Sequence, residues 1–153
     1  MIRDSTPSLA DQAQRHFVLA LVDLATQAGG VRLAVLRRQQ VAAVDLFSGK
    51  KVWDVPLGSW IPGMNTGTVT LGGPMVTAGG LVFTAAAMDN YLRAFDSDSG
   101  KELWKYELPA SGQATPMTFE MNGRQYLVIM AGGHHFMGTP VSDQLVAYAL
   151  PSN

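Results

Sequence analysis

The residues able to do chemistry are few, and their spacing rules out much of it. His134 and His135 are adjacent; in extended chain such neighbours leave opposite faces, and no Glu or third His stands at helical or loop spacing to complete a zinc site. The chain has no cysteine, which removes thiolate nucleophiles, disulfides and Cys-type metal sites while leaving the redox compartment open. The glycine pairs beginning at Gly72, Gly79 and Gly132 are followed by neither Gly-Lys-Ser/Thr nor a strand-to-helix passage, so they read as turn glycines. No Gly-x-Ser-x-Gly elbow is present. Two titratable positions remain: Asp89, in Met88-Asp89-Asn90, and His134, directly after Gly132-Gly133. A carboxylate and an imidazole are the groups that general acid–base chemistry uses. Taken alone, Asp89 reads first as a turn-capping aspartate and His134 as a satisfied histidine.

Composition narrows the partners. With 11 Lys and Arg against 12 Asp and Glu, the formal net charge is -1, and no basic cluster exceeds Arg37-Arg38. Neither nucleic acid nor an anionic membrane surface is an expected partner. The chain is 47% hydrophobic and 15% charged, a balance that favours a packed core over disorder. Its longest apolar run, Phe17 to Val22, falls well short of the roughly 20 residues that a membrane-spanning helix needs. Asp4, Asp11 and Asp23 make the N-terminus a poor signal peptide, which leaves a cytoplasmic location open on these residues alone.

The elements that must position Asp89 and His134 are strands. In the first 40 residues, Leu9, Ala13, Phe17, Leu21, Leu24 and Ala28 recur at helical spacing, which predicts a helix over about residues 8–28, stopped by Gly29-Gly30. From there on, short β-type runs alternate with Gly, Asn, Asp and Pro signals. Strands are expected over 41–46, 51–56, 74–77, 81–86, 91–96, 102–108, 115–121, 125–131 and 144–150. Asn122-Gly123 is the strongest hairpin signal among them, because both residue types tolerate positive φ.

A repeat organises these strands. "AVDLFSGKKVW" (43–53) returns 51 residues later as "AFDSDSGKELW" (94–104), sharing Ala, Asp, Ser, Gly, Lys and Trp in register. In each copy a strand ends at Asp45 or Asp96, whose carboxylate can accept turn amides, and Gly49 or Gly100 supplies a left-handed position. The chain returns to Trp53 or Trp104, a flat surface for the neighbouring unit, while Ala43 and Ala94 keep the facing strand slim. A third, incomplete copy is visible where "LVAYALP" (145–151) parallels "YLRAFDS" (91–97). The expected fold is all-β: a partial β-propeller of about two to three antiparallel four-stranded blades over residues 41–153, preceded by the N-terminal helix.

These residues resemble the pyrroloquinoline quinone (PQQ)-dependent dehydrogenases of the membrane-bound glucose, quinate and shikimate type. The resemblance rests on the two Ala-x-Asp-x-x-Ser-Gly-x-x-x-Trp copies, which match that family's tryptophan-docking motif, and on "GGPMVTAGGLVFTAAAMDNYLRAFD", "LPASGQATPMTFEMNGRQYLVIMAGGH" and the terminal "VAYALP". It covers residues 41–151 as the C-terminal end of an eight-bladed propeller. It implies PQQ with a calcium or magnesium ion, oxidation of an aldose or polyol at the periplasmic side of the membrane, and transfer of electrons to ubiquinone. Asp89 then corresponds to an acidic residue beside the quinone and His134 to a histidine on the substrate side. The catalytic carboxylate and the metal ligands belong to earlier blades, so the resemblance implies a portion inactive by itself. Residues 1–40 lie outside the match and are expected to be a segment of separate origin, from a remnant gene or a misplaced start. A quinate or shikimate substrate and a non-catalytic repeat scaffold are the alternatives, and exposed blade faces leave self-association open.

Overall fold

The computed structural model describes residues 32–37, 39–61, 64 and 66–149. Ten strands run through them: β1 (Arg32–Arg37), β2 (Gln40–Asp45), β3 (Lys51–Pro56), β4 (Met75–Val76), β5 (Leu81–Thr84), β6 (Tyr91–Asp96), β7 (Glu102–Glu107), β8 (Met117–Met121), β9 (Arg124–Ala131) and β10 (Gln144–Ala149). They form three antiparallel sheets, β1-β2-β3, β4-β5-β6-β7 and β10-β9-β8, each a meander in chain order. Every strand read from the sequence is present, with ends within about two residues. The one addition is β1, which pairs along its length with β2 and so carries the first sheet upstream of residue 40. The helix expected over 8–28 lies outside the described residues.

The core lies between the sheets rather than inside any of them. Val41, Ala43 and Trp53 of the first sheet pack with Val82 and Phe95 of the second and with Leu57, Ala86 and Ala87. Leu92 of the second clusters with Ile129 and Ala131 of the third, and with Ala85 and Leu108. The middle sheet is thus covered on both faces, which is why Leu92, Arg93, Ala94 and Phe95 are buried without alternation. Stacked sheets of this kind, packed one on the next, are blades of a partial propeller.

The repeat forms the same turn twice. Asp45 and Asp96 each accept at Oδ1 the amide (2.7 Å in both copies) and the hydroxyl (2.8 and 2.7 Å) of Ser48 and Ser99. The Gly49 and Gly100 amides donate back to the Asp45 and Asp96 carbonyls at 2.8 and 2.9 Å, with φ of 67° and 71°. In both copies Ala faces Trp across the strands, Ala43 with Trp53 and Ala94 with Trp104, and the register shifts one residue later. Trp53 then reaches out of its own sheet: its Nε1 donates to the Ser97 carbonyl at 2.8 Å, and its indole lies where a Cβ on Gly100 would be 2.7 Å from Cδ2 and Cε3. Trp104 instead makes edge contact with Tyr148 of the third sheet and stacks on Tyr106.

Candidate functional site

Strand alternation brings five connections to one end of the sheets: the turn at Gln39, 57–74, 85–90, 108–116 and 132–143. They are hydrogen-bonded to one another. Asp89 lies in the 85–90 connection, whose backbone is held from three directions. Thr68 Oγ1, fully buried, accepts the Met88 amide at 3.0 Å; Gln113 Nε2 donates to the Ala87 carbonyl at 3.2 Å; and the Leu108 amide donates to the Asn90 carbonyl at 2.7 Å. Asn90 turns the chain at φ 60°, a left-handed conformation that Asn tolerates better than most side chains.

The Asp89 carboxylate does not cap this turn; it faces a guanidinium. Arg93 Nη1 donates to Oδ1 at 2.9 Å and Nη2 to Oδ2 at 2.5 Å, a two-point clasp between side chains that are 17% and 8% exposed. The same guanidinium reaches Glu102 on β7 through Nε at 3.2 Å and the Tyr91 carbonyl through Nη1 at 3.2 Å. Arg93 is therefore a strut from this turn to the outer strand of its sheet.

His134 opens the second loop, and the base of that loop is closed. The Gly133 amide donates to the Ser111 carbonyl at 2.8 Å and the Ser142 amide to the Gly132 carbonyl at 3.0 Å. Thr139 Oγ1 accepts the His134 amide at 2.7 Å and the Ser111 hydroxyl at 3.1 Å. Gly133 is at φ 66° against the Pro140 carbonyl, an approach that leaves no room for a Cβ. A 3-10 turn over His135–Met137 follows and leaves Phe136 91% exposed.

Asp89 and His134 thus stand on two turns of one rim, each tied to the strap Leu108–Gln113 that crosses from the second sheet to the third. The strap is wedged in place: a Cβ on Gly112 would meet Ala85, Ile129 and Leu108 at 2.7, 2.8 and 3.0 Å. Each turn also leaves a solvent-excluded polar atom without a hydrogen-bond partner, Asn90 Oδ1 and His134 Nδ1. The motif residues Ala43, Asp45, Gly49, Trp53, Ala94, Asp96, Gly100 and Trp104 lie in β2, β3, β6, β7 and the turns between them, away from this rim. Among the described residues no three His, Asp or Glu side chains are grouped to hold a metal ion. Thr68, Gln113, Ser111, Thr139 and Arg93 were not singled out from sequence, and only the Asp-x-x-x-Arg spacing across a turn could have signalled one of them.

A family described as the glucose/ethanol/alcohol dehydrogenase PQQ β-propeller domain matches residues 30–127. The chain belongs to this PQQ dehydrogenase family. It is 54% identical over 126 residues to the glycerol dehydrogenase large subunit of Gluconobacter oxydans, covering 74% of this chain and 17% of that protein. It is 51% identical over 122 residues to quinoprotein glucose dehydrogenase A of Acinetobacter calcoaceticus, covering 74% and 15%. Among solved structures, a europium-containing methanol dehydrogenase matches with a TM-score of 0.51 at 30% identity, over 61% of this chain and 15% of that one. The chain therefore spans about a sixth of the length of these relatives. Among the described residues no helix is long and apolar enough to cross a membrane.

Proposed function

We propose that this PQQ dehydrogenase chain is the C-terminal portion of an enzyme that oxidises an aldose or polyol of glucose type and passes the electrons to ubiquinone at the periplasmic side of the membrane. The observation that carries the reading is the rim: two turns fixed to one buried strap, each with a solvent-excluded polar atom left unpartnered. Buried groups of that kind in a folded protein call for a ligand or an ordered water. This rim is the part of the chain that would face PQQ, a planar ortho-quinone. When bound, PQQ supplies the two-electron acceptor.

The chain's own work is placement. The Asp89 turn forms the cofactor side, fixed by Thr68, Gln113 and Arg93. His134 forms the substrate side, and Thr139 and Ser111 hold the loop that carries it. The strap closes the rim from behind, with Gly112 packed against Ala85 and Ile129. The catalytic carboxylate and the ligands of a calcium or magnesium ion belong to other blades, so this portion alone has no turnover. A repeat scaffold has no use for two unpartnered rim atoms, which favours the dehydrogenase.

The test is to add PQQ and calcium to the purified chain, follow quinone absorbance, and assay dye-linked glucose oxidation. PQQ uptake without dye reduction is the expected result. Dye reduction would overturn the inactivity of the portion, and absence of PQQ uptake would overturn the placement of Asp89 and His134 around the cofactor.

A further inference from the structure

We propose that the outward face of the third sheet is a self-association surface, on which two copies of this chain pack β8-β9-β10 against β8-β9-β10 about a two-fold axis. The inference stands apart from the PQQ reading. The third sheet is covered on one side only, where Ile129 and Ala131, with Leu127, Val146 and Tyr148 against them, meet the second sheet. Alternation and register turn Met117, Phe119, Met121, Tyr126, Met130 and Leu145 the other way. Of these, Met117, Met121 and Leu145 are 55%, 52% and 65% exposed. The face that the second sheet turns to the third is closed, with Leu92 at 0%. What closes it is another sheet of the same stack.

The chemistry of the open face selects its occupant. Among its strand residues the charged side chain is Arg124, at the hairpin corner, whose guanidinium lies over the Tyr126 ring at 5.9 Å. Glu120 alternates to the other side, so no strand carboxylate faces outward. The far end of the stack differs: Asp54, alternating with Trp53 and Val55, turns away from the second sheet and holds Lys51 at 2.9 Å. Head-to-tail packing would bury that ion pair against apolar side chains, at a desolvation cost. Two copies of the third sheet instead bring apolar onto apolar, an isologous contact that closes at two chains. Phe119 and Tyr126 stack at 5.0 Å and 9°, a flat anchor assembled in advance, and the methionines beside them adapt to a facing surface. Three strands about 4.8 Å apart, at about 3.3 Å per residue, present roughly 300 Å² in projection. That is below the roughly 800 Å² per partner of a standard interface, so the dimer is reversible.

Sedimentation equilibrium of the full chain tests this. Over about 1–300 μM the mass should rise from 16.4 kDa toward twice that value and stop there. Leu145→Lys and Met121→Lys, at exposed positions on two different strands, should each weaken association at least about tenfold while keeping the parent circular dichroism spectrum. Val52→Lys, at a 42% exposed position of the first sheet, should leave it unchanged. A monomer at every concentration overturns the proposal and leaves the face to a sheet from another polypeptide. Growth beyond two chains, or weakening by Val52→Lys, overturns it in favour of head-to-tail stacking. Association that survives both lysine variants of the third sheet overturns the choice of face.

Discussion

Gly49 and Gly100 occupy the same place in the two copies of the repeat, and replacing each by alanine separates what the turn needs from what the neighbouring sheet needs. Both have left-handed φ, 67° and 71°. A Cβ there costs roughly 1–2 kcal/mol of backbone strain, offset by about 0.4–1 kcal/mol from the stiffer unfolded chain, so strain alone amounts to about 1 kcal/mol. The surroundings differ. A Cβ on Gly49 has nothing within 4 Å, whereas on Gly100 it would sit 2.7 Å from two atoms of the Trp53 indole. The indole cannot retreat freely, because its Nε1 is bonded to the Ser97 carbonyl at 2.8 Å in the same turn. Forced overpacking of that sort adds about 1–3 kcal/mol.

Gly49→Ala should therefore lower the thermal midpoint by about 4 °C and Gly100→Ala by about 8–16 °C, with roughly 4 °C per kcal/mol for a domain of this size. Circular dichroism through the melt reads both. In a Trp53→Leu background the excess cost at Gly100 should shrink by about 1 kcal/mol or more, the signature of a direct contact. Equal losses at the two glycines, or an excess that survives Trp53→Leu, would refute the idea that the first sheet is locked to the second through this turn.

Other consequences follow from single groups. Burial pushes the Tyr148 phenol above its ordinary 10.0, and the neighbouring Tyr106 adds to the push. The folded state then holds that proton more tightly than the unfolded state, so the associated stability is complete below about pH 10 and is lost as pH rises through the raised folded value. Tyr148→Phe removes a hydroxyl that has no partner, so unfolding midpoints should be unchanged or higher at pH 7 and fall less steeply above pH 10 than in the parent. Thr68→Val strips the acceptor from the Met88 amide and should cost about 1–3 kcal/mol in urea unfolding, with faster exchange at Met88. Gly112→Ala drives a methyl against Ala85 and Ile129 at the strap, and hydrogen exchange should show the Leu108 and Gly133 amides losing protection together. Loss at one amide alone would show that the two rim turns are supported separately.

How much of this was legible in sequence depended on how far each constraint reaches along the chain. Strands bounded by Gly, Asn, Asp and Pro are legible to within about two residues at their ends, and Asn122-Gly123 takes the two positive φ values, 54° and 73°, that its hairpin needs. β1 was missed for the complementary reason. Its turn into β2 uses Gln39 at φ 72°, a residue type that carries no turn signal, and the preceding Gly29-Gly30 reads as the end of a helix. The rim shows the same division. Asp89 and His134 stood out by type and resemblance, but Thr68 and Gln113 hold the Asp89 turn across 20 and 26 residues of chain, a distance at which spacing says nothing. Arg93 lies only four residues from Asp89, yet in an unbroken strand those side chains would be about 13 Å apart. It takes the left-handed Asn90 to fold them onto one another.

The two copies of the repeat also show which part of the motif is autonomous. The Asp–Ser–Gly turn closes with the same bonds in both, within 0.1 Å for the hydroxyl and glycine contacts, because every partner lies within five residues. The tryptophan is different: Trp53 is 8% exposed and Trp104 38%, although both face alanine in the same register. Trp53 is buried by the Ser97–Gly100 turn of the next sheet, whereas the sheet after Trp104 presents it the edge of Tyr148. A shared local motif thus gives the same turn and unequal burial, and the difference measures what the next blade presents. For this chain the repeat reports the architecture. The chemistry depends on the residues that the repeat leaves free at the opposite end of the sheets, where the Leu108–Gln113 strap gathers them.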